Sequence, residues 1–561
     1  MATMIKEPSD RALAPDSGLP SLPLKQNAGS SLAPVFHMNQ RSSGILLHPT
    51  SLLNIYPIGD LGPAANVFAD FMVQSGQRWW QMLPIGPVGE DNSPYQSRSA
   101  FAGNPLLVSP DRLMKRGLLS RENIAPSHAV SEGRVDYAAA VNLKLQWLRK
   151  AFENFESDPR KNGQSELDAY IQAESYWLDD YSLFSVIREK EGTSDWTRWS
   201  QELRTRQPDA ITRAQKYWAD EMRYHQFVQW QFSAQWDELK AYCHSLGIGL
   251  IGDIPLFVAH QSADVWARPK LFKLDAKGNP TVVAGVPPDY FSRTGQLWGL
   301  PVYCWEALKA QNYGWWIERL RMAFRRFDVN RLDHFIGFVR TYEVPAQART
   351  ATNGQYQPGG GTSFFEAVRA ALGLLSLIAD DLGAISPEVV ALMNQLQIPG
   401  TRVLQFEYSS NLEGGFALPG PHPMKSVVYS GTHDNDTTAG WYQKLPDTQR
   451  LALQKQLGAN NEDVVWAMIE AALATQADMA IVSMQDLLEL GSEARMNTPG
   501  IAKGNWEWRL KDGALTPELA QKLLGVTLAH GREPRPQPPI QEDDLKLQIA
   551  KRAYEIYKQC G

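Results

Sequence analysis

The sequence has little cysteine and no long apolar run. Its 561 residues include three cysteines, Cys243, Cys304 and Cys560, whose spacing favours neither a disulfide framework nor a zinc site. The longest apolar candidate, residues 370–379, is interrupted by a glycine and a serine and falls short of the roughly 18 residues that cross a membrane. The N-terminus also lacks the compact apolar segment of a secretory signal. We therefore expect a protein of a reducing compartment with no membrane partner.

The chain also lacks an excess of basic charge. Its 55 basic and 61 acidic side chains give a net charge of −6, so a nucleic-acid partner is not expected. The hydrophobic content of 43% and the charged content of 21% are typical of a globular protein with a large core. Aromatic residues make up 10% of the chain. Most of them are expected in the core, and some are candidates to line a cleft for sugar rings.

The two ends of the chain differ in composition from the middle. Residues 1–40 carry five prolines and five serines without a sustained apolar period, which predicts a flexible N-terminal extension. A plastid transit peptide is less favoured, because Glu7, Asp10 and Asp16 are unusual in such a peptide. At the other end, residues 531–561 are predicted to form a proline-rich linker and a C-terminal helix.

Between these ends, eight short apolar runs finish in polar or glycine residues and alternate with segments of helical periodicity. The runs cover residues 44–52, 78–88, 247–259, 328–338, 374–383, 401–408, 426–436 and 479–490. Eight strands alternating with helices predict an α/β fold, a closed (β/α)₈ TIM barrel, which we place at residues 41–530. The long gap of residues 89–246 is predicted to be an inserted, mainly helical subdomain, and residues 260–327 a second insertion.

Polar residues at the ends of these runs are candidates for catalysis, because barrel enzymes carry their active sites at the carboxyl ends of the strands. Arg331 and Asp333 are two apart and therefore share a face of a strand. The guanidinium is expected to lower the pKa of the Asp333 carboxyl and keep it ionised, as a nucleophile requires. A purely structural ion pair is an equally good interpretation of this motif alone.

Three more runs end in carboxylates. Asp380 and Asp381 follow an apolar run, so one of them is a candidate general acid and the other a cap of the following turn. The string GTHDND contributes His433, Asp434 and Asp436, the two aspartates sharing a face if the strand extends that far. The string IGDIP adds Asp253.

Several carboxylates, an arginine and aromatic residues around one barrel mouth favour glycosidic chemistry, which needs one ionised and one protonated carboxyl group. The alternative is a metal-dependent lyase or isomerase, since carboxylates on successive strands can also hold Mg²⁺. Arg331 argues against this alternative because its fixed positive charge would repel a divalent ion. A single histidine, His433, is a weak sign of a metal site.

Six long motifs give the chain a family resemblance. They are SPYQSRSAFAGNP (93–105), IGDIPLFVA (251–259), AGVPPDYFSRTGQLWG (284–299), RLDHFIGF (331–338), GTHDNDTTAGWY (431–442), and LGSEARMNTPG followed by GNWEW (490–508). With these motifs, the chain from about Ser43 to Arg509 resembles the 4-α-glucanotransferases of glycoside hydrolase family 77. The resemblance implies a retaining transglycosylase on a (β/α)₈ barrel with inserted subdomains.

The resemblance also implies roles for individual residues. Asp333 matches the nucleophile that forms the β-glycosyl-enzyme, Asp380 the acid/base, and Asp434 the carboxylate that stabilises the transition state. Residues matched to the donor sugar are Tyr95, Asp253, Arg331 and His433, and those matched to the aromatic loop on the acceptor side are Tyr290, Phe291, Gln296 and Trp298. No metal and no organic cofactor are implied.

The implied partners are malto-oligosaccharides, α-1,4-glucans derived from starch or glycogen, and glucose as an acceptor. No nucleic acid and no membrane are implied. A monomer is expected, in the cytoplasm or, for a plant or algal source, in the plastid stroma.

Three positions depart from the family pattern. Asp380 occupies the Glu position of the family's A-E-D-L-G motif, Gln261 replaces an Asp, and Leu300 replaces an Asn. The aspartate arm is shorter by one methylene, roughly 1.5 Å, and a misplacement of about 1 Å can cost on the order of 100-fold in rate. A catalytically weakened glucan-binding homologue is therefore the alternative to an active transferase.

Overall fold

The computed structural model describes residues 36–124, 133–288, 292–383, 385–410, 422–501 and 503–534. Nearly all of the predicted N-terminal extension and the predicted C-terminal helix lie outside these residues. The same holds for Tyr290 and Phe291 of the predicted acceptor loop.

The described residues contain twelve strands, most of them short. They are β1 (Ser42–Leu46), β2 (Trp79–Gln81), β3 (Gly249–Ile254), β4 (Val282–Val286), β5 (Gln296–Pro301), β6 (Val329–Leu332), β7 (Arg340–Pro345), β8 (Gln355–Pro358), β9 (Leu377–Ala379), β10 (Gly400–Val403), β11 (Ser426–Tyr429) and β12 (Met479–Ser483).

Eight of these strands close the predicted barrel. Their order is β1-β12-β11-β10-β9-β6-β3-β2, and all neighbours are parallel. Each barrel strand overlaps one of the eight apolar runs, because strands of a parallel barrel are covered on both faces and are therefore apolar along their length. Gly44 on β1 shows how closely they pack: a Cβ there would lie 2.2 Å from the carbonyl oxygen of Trp79.

The barrel strands end early within the predicted runs. The run of residues 426–436 holds only β11 (Ser426–Tyr429), and the run of residues 328–338 holds only β6 (Val329–Leu332). The second half of each of these runs therefore lies beyond the strand, at the carboxyl end of the barrel, which is where the candidate catalytic residues lie.

Helices surround the barrel and make up most of the ordered elements outside its strands. The described residues contain α1 (Pro63–Gln74), α2 (Pro110–Lys115), α3 (Tyr137–Ser157), α4 (Gln164–Ala173), α5 (Ser175–Glu191), α6 (Gln201–Arg204), α7 (Pro208–Tyr217), α8 (Ala219–Ser245), α9 (Ala263–Ala267), α10 (Trp305–Ala310), α11 (Gly314–Arg326), α12 (Gly361–Leu372), α13 (Pro387–Leu396), α14 (Leu404–Ser410), α15 (Thr438–Lys444), α16 (Asp447–Leu457), α17 (Val464–Ala474), α18 (Met484–Leu487) and α19 (Pro517–Ala529). None of the helices described is both long enough and apolar enough to span a membrane.

The region predicted as a helical insertion, residues 89–246, holds α2 to α8. Its last helix, α8, packs against α5, α1 and β3. This helix therefore links the inserted helices to the barrel wall and leads directly into β3. Buried tryptophans contribute to the packing here and elsewhere, and Trp79, Trp80, Trp236, Trp266 and Trp316 are all less than 2% exposed.

A second sheet lies beside the barrel mouth. It is four-stranded and antiparallel in the order β5-β4-β7-β8. Two of its strands come from residues 260–327 and two from residues that follow β6, a pairing that the sequence pattern did not predict. The sheet brings Trp298 of β5 to the end of β6, where its ring lies 4.8 Å from the ring of His334.

Candidate active site

Arg331 is the centre of the candidate site. The strand β6 points its side chain into the barrel, where the side chain is 6% exposed. The Nη1 atom donates to Asp253 Oδ2 at 2.6 Å and to Asp333 Oδ1 at 3.2 Å, and the Nη2 atom donates to Asp380 Oδ2 at 2.9 Å. The three carboxylates come from β3 and from the ends of β6 and β9, so neighbouring strands bring together residues that are far apart in the sequence.

Asp253 is the most buried of the three carboxylates. It lies on β3 directly opposite Arg331, and its side chain is fully buried. Its Oδ2 atom also accepts a hydrogen bond from the Tyr95 hydroxyl at 2.9 Å, while Oδ1 has no hydrogen-bond partner among the described residues. Burial raises the pKa of Asp253, and Arg331 opposes this effect.

Asp333 follows β6 and remains open to the cleft. Its backbone N–H donates to the Ile254 carbonyl at 3.0 Å, and its side chain is 28% exposed. Burial raises the pKa of Asp333 well above its ordinary value; Arg331 acts to lower it, and Asp253 and Asp380 raise it further. The predicted lowering of this pKa is therefore wrong, because several carboxylates share one guanidinium and because the site is partly withdrawn from water.

The adjacent aspartates Asp380 and Asp381 contact different parts of the barrel. Asp380 faces the cleft, where its Oδ2 atom accepts from Arg331 and from the His334 backbone N–H at 3.1 Å. Asp381 points to the next barrel strand, where Oδ1 accepts from the Thr401 N–H at 2.6 Å and Oδ2 from Arg402 Nη1 at 3.1 Å. The prediction that one of the pair caps the following turn is wrong: the carboxylate outside the site ties β9 to β10.

Asp434 lies on a loop and not on a strand. The strand β11 ends at Tyr429, and the chain then turns where the Asn435 side chain accepts the Thr432 N–H at 3.0 Å. The idea of an extended strand that places Asp434 and Asp436 on one face is therefore wrong. Asp436 instead accepts from Ser492 Oγ at 2.8 Å, away from Arg331.

The Asp434 carboxylate is accessible but held in place. Its side chain is 47% exposed, and Oδ1 accepts from Asn497 Nδ2 at 2.6 Å. Arg495 donates to the Asp434 carbonyl at 2.5 Å, and the Asn497 N–H donates to the His433 carbonyl at 3.0 Å. Asn497 and Arg495 are part of a recognised motif, but nothing in their spacing assigned them this bracing contact.

Aromatic rings form a wall beside these carboxylates. The rings of Tyr95 and His433 stack at 5.0 Å with an angle of 16° between their planes. Trp506, which the sequence analysis did not single out, lies 5.7 Å from Tyr95 and 6.0 Å from His433. His433 Nε2 is 3.5 Å from Asp434 Oδ1, so the wall joins the Asp434 loop to the Asp253 side of the cluster.

Of the four residues predicted for the acceptor side, the structure describes two. Gln296 and Trp298 both lie on β5, and Trp298 Nε1 donates to Gln296 Oε1 at 3.1 Å. Trp298 meets His334, a residue that the sequence analysis did not select, in a perpendicular ring contact of 84°. Of the two other departures from the family pattern, Gln261 is exposed and Leu300 is half-buried on β5.

The carboxylates are arranged around a guanidinium and not around an ion position. Within the described ranges, no group of three or more His, Cys, Asp or Glu side chains has the geometry to hold a metal ion. The cluster instead combines one fixed cation, three carboxylates in contact with it and a fourth, Asp434, nearby. Such a group can supply a nucleophile, an acid/base and a stabilising charge at one anomeric carbon.

Comparison with known proteins assigns the family. A family model described as 4-alpha-glucanotransferase, glycoside hydrolase family 77, matches residues 47–516. The chain belongs to this 4-alpha-glucanotransferase family. The resemblance inferred from the six motifs is confirmed, and the enzymatic activity of the chain is that of a 4-alpha-glucanotransferase.

The chain aligns with relatives in the family over nearly the whole length of those relatives. The 4-alpha-glucanotransferase of Thermus thermophilus is 42% identical over 500 residues, covering 88% of this chain and 99% of that protein. The enzyme of the same name from Synechocystis sp. is 43% identical over 502 residues, with the same coverage. The solved structure of an amylomaltase from Streptococcus agalactiae in complex with acarbose has a TM-score of 0.85 and 34% identity, covering 88% of this chain and 100% of that one. This amylomaltase therefore shares the (β/α)₈ barrel fold of the chain.

Proposed function

We propose that the chain transfers a segment of an α-1,4-glucan to the 4-OH of a second glucan or of glucose, by double displacement on Asp333. In the first step an Asp333 oxygen bonds to the anomeric carbon, the bond from that carbon to the glycosidic oxygen breaks, and Asp380 gives its proton to the departing oxygen. In the second step the acceptor 4-OH gives its proton to Asp380, and its oxygen displaces Asp333. Two inversions restore the α linkage.

The observation that carries the proposal is the sharing of Arg331 by Asp333 and Asp380. The two carboxylates bind different terminal nitrogens of one buried guanidinium, which keeps them close to each other. A retaining mechanism uses carboxyl groups about 5–5.5 Å apart, whereas an inverting mechanism needs more room for a water molecule between them. The shared guanidinium therefore favours attack by Asp333 itself.

The burial of the cluster is consistent with a reaction in which one carboxyl group is protonated while another is ionised. Three carboxylates around one guanidinium would carry a net charge of about −2 if all were ionised, which is unfavourable for groups that are partly withdrawn from water. The raised pKa values of Asp253 and Asp333 express this cost. Burial thus disfavours a third negative charge in the cluster, and the proposed acid step requires a proton on Asp380 while Asp333 is ionised.

Asp434 and the aromatic wall are proposed to hold the donor sugar. The carboxylate is exposed to the cleft and fixed by Asn497, so it can face the positive charge that develops on the sugar ring in the transition state. Tyr95 and His433 stack beside it, and aromatic faces suit the apolar faces of pyranose rings.

The acceptor side is proposed to begin at Trp298, with Gln296 beside it. An aromatic surface over the intermediate favours a sugar hydroxyl over loosely held water. Transfer, and not hydrolysis, is then the outcome when glucan is present. The complex of the Streptococcus agalactiae relative with acarbose supports a carbohydrate as the ligand of this cleft.

Incubation with maltotriose tests the proposed function. We expect glucose together with longer oligomers, and NMR of the first products should show the α configuration at the newly formed glycosidic linkage. A new linkage in the β configuration, or no redistribution at any enzyme concentration, would contradict the mechanism. The Asp333→Asn variant serves as the control for contaminating activity.

A further inference from the structure

His334, directly after Asp333, has a left-handed backbone. Its φ is 51° and its ψ is 51°, a region that few residues other than glycine occupy, although His, Asn and Asp tolerate it better than most. The residue turns the chain from β6 into the short 3₁₀ helix Phe335–Phe338. Unusual backbone conformations of this kind concentrate where a site must be held in one geometry.

The turn at His334 points backbone N–H groups at Asp380. The His334 N–H donates to Asp380 Oδ2 at 3.1 Å, and the next N–H, of Phe335, donates to the Asp380 carbonyl at 3.1 Å. The Asp380 carboxylate is therefore held by Arg331 on one side and by the left-handed turn on the other. A change of backbone conformation at residue 334 would move the His334 N–H, which is one of the two donors to the Asp380 carboxylate.

The imidazole of His334 is fitted between Trp298 and Gly337. It meets the Trp298 ring edge to face, with centroids 4.8 Å apart. On the other side, a Cβ at Gly337 would lie 3.1 Å from His334 Cδ2 and 2.2 Å from Leu256 Cδ2, so a glycine there leaves room for the ring. Burial lowers the pKa of His334 to about 4, with Asp380 opposing the shift, so the ring is neutral at neutral pH and adds no second cation beside Arg331.

From these contacts we propose that His334 is a positioning residue that couples the acid/base carboxyl to the acceptor side of the cleft. Its backbone holds Asp380, and its ring supports Trp298. The inference rests on the proposed function, in which Asp380 deprotonates the acceptor. An acceptor that packs on Trp298 then finds its 4-OH close to a carboxylate that is already oriented, and water lacks this advantage.

Two substitutions separate the backbone contribution from that of the ring. His334→Asn keeps a residue type that tolerates the left-handed conformation and removes the ring, whereas His334→Ala removes the ring and disfavours the conformation. The matched control is Gln397→Ala, because Gln397 is exposed and has a φ of 58° at the end of α13, just before β10 and so at the opposite end of the barrel. This control reports the effect of alanine at a left-handed position outside the site.

Two glycosyl donors, maltotriose and α-maltotriosyl fluoride, distinguish an effect on proton transfer from an effect on the attack of Asp333. Cleavage of maltotriose needs a proton on the departing oxygen, whereas α-maltotriosyl fluoride releases fluoride without one. In single turnovers, we expect His334→Ala to slow maltotriose cleavage by about 10- to 100-fold and to slow fluoride release much less. With the fluoride as donor and glucose as acceptor, we expect His334→Asn to raise the KM for glucose several-fold and to increase the share of hydrolysis. Gln397→Ala should match the native enzyme in both assays.

The proposal is overturned if His334→Ala slows both donors equally, or if His334→Asn leaves the acceptor KM and the hydrolysis share unchanged. If His334→Ala does not fold, the acceptor assay on His334→Asn decides alone. Failure of the proposed function would look different, because the native enzyme itself would then release fluoride without forming a glycosyl-enzyme.

Discussion

Asp253 and Arg331 lie directly opposite each other on neighbouring barrel strands and form a buried ion pair, with Asp253 Oδ2 2.6 Å from Arg331 Nη1. The same nitrogen also binds Asp333. The charge of Asp253 therefore acts on Asp333 in two ways, by direct repulsion and by occupying part of the guanidinium.

This relationship predicts a pH effect. Asp333 must be ionised to attack, and its pKa is raised well above 3.8, so kcat/KM should fall on the acid side at a pH well above that value. Asp253→Asn removes a nearby negative charge and should move this acid limb to lower pH, by about one unit, even if the rate at the optimum falls. A pH profile of kcat/KM for maltotriose checks this. An acid limb that stays in place or moves up would show that Asp253 does not control the ionisation of Asp333.

A second prediction concerns Asp380, whose side chain is one methylene shorter than the Glu of the family pattern. Asp380 already receives hydrogen bonds from Arg331 and His334, so the site is built around the aspartate. We expect Asp380→Glu to change kcat by no more than about tenfold and Asp380→Asn to lower it by about 100-fold or more, because the latter removes the proton transfer. Initial rates on maltotriose decide this. A rise of about 100-fold or more in Asp380→Glu would mean that the native chain is the weakened homologue.

A third prediction concerns the brace on Asp434. Asn497→Ala removes the hydrogen bond from Nδ2 to Asp434 Oδ1, and bonds to a charged group are worth about 1.5–3 kcal/mol. Since Asp434 is proposed to act in the transition state, kcat should fall about tenfold or more with little change in KM. Steady-state kinetics with maltotriose measure this, and the melting temperature controls for folding. A rise in KM alone would assign Asn497 to substrate binding instead.

A fourth prediction concerns stability away from the cleft. Lys144 Nζ lies 2.6 Å from Asp60 Oδ2, and both side chains are 1% exposed. Lys144→Met leaves Asp60 buried without its counter-ion, which should cost about 3–5 kcal/mol. The control is Lys150→Met, because Lys150 pairs with Glu153 at the surface and such pairs contribute about 1 kcal/mol or less. Denaturant midpoints measure both changes, and equal effects would mean that the buried pair adds no more than the exposed one.

The barrel could be predicted from the sequence because its strands are short apolar runs at regular spacing. That signal is local, and it also located Arg331, Asp333 and Asp380 at strand ends. It failed where a polar loop replaces the end of a run, as at Asp434, because the turn depends on the Asn435 side chain and not on periodicity.

Contacts between distant loops were beyond the sequence pattern for a different reason. Asn497 binds Asp434 across 63 positions, and Trp298 meets His334 through a sheet whose strands come from two regions. Polar and aromatic residues on loops have no period that indicates a partner. The direction of the pKa shift of Asp333 was also mispredicted, since a motif shows one arginine beside one aspartate and not the number of carboxylates that gather around it in space.

The most direct test of the account is to trap the intermediate on Asp333. In the Asp380→Ala variant, α-maltotriosyl fluoride can still react without acid assistance, while the return step lacks its base. We expect mass spectrometry of a peptic digest to find a maltotriosyl group on the carboxylate of Asp333. Consumption of the fluoride with no adduct, or an adduct on another residue, would contradict the proposed double displacement.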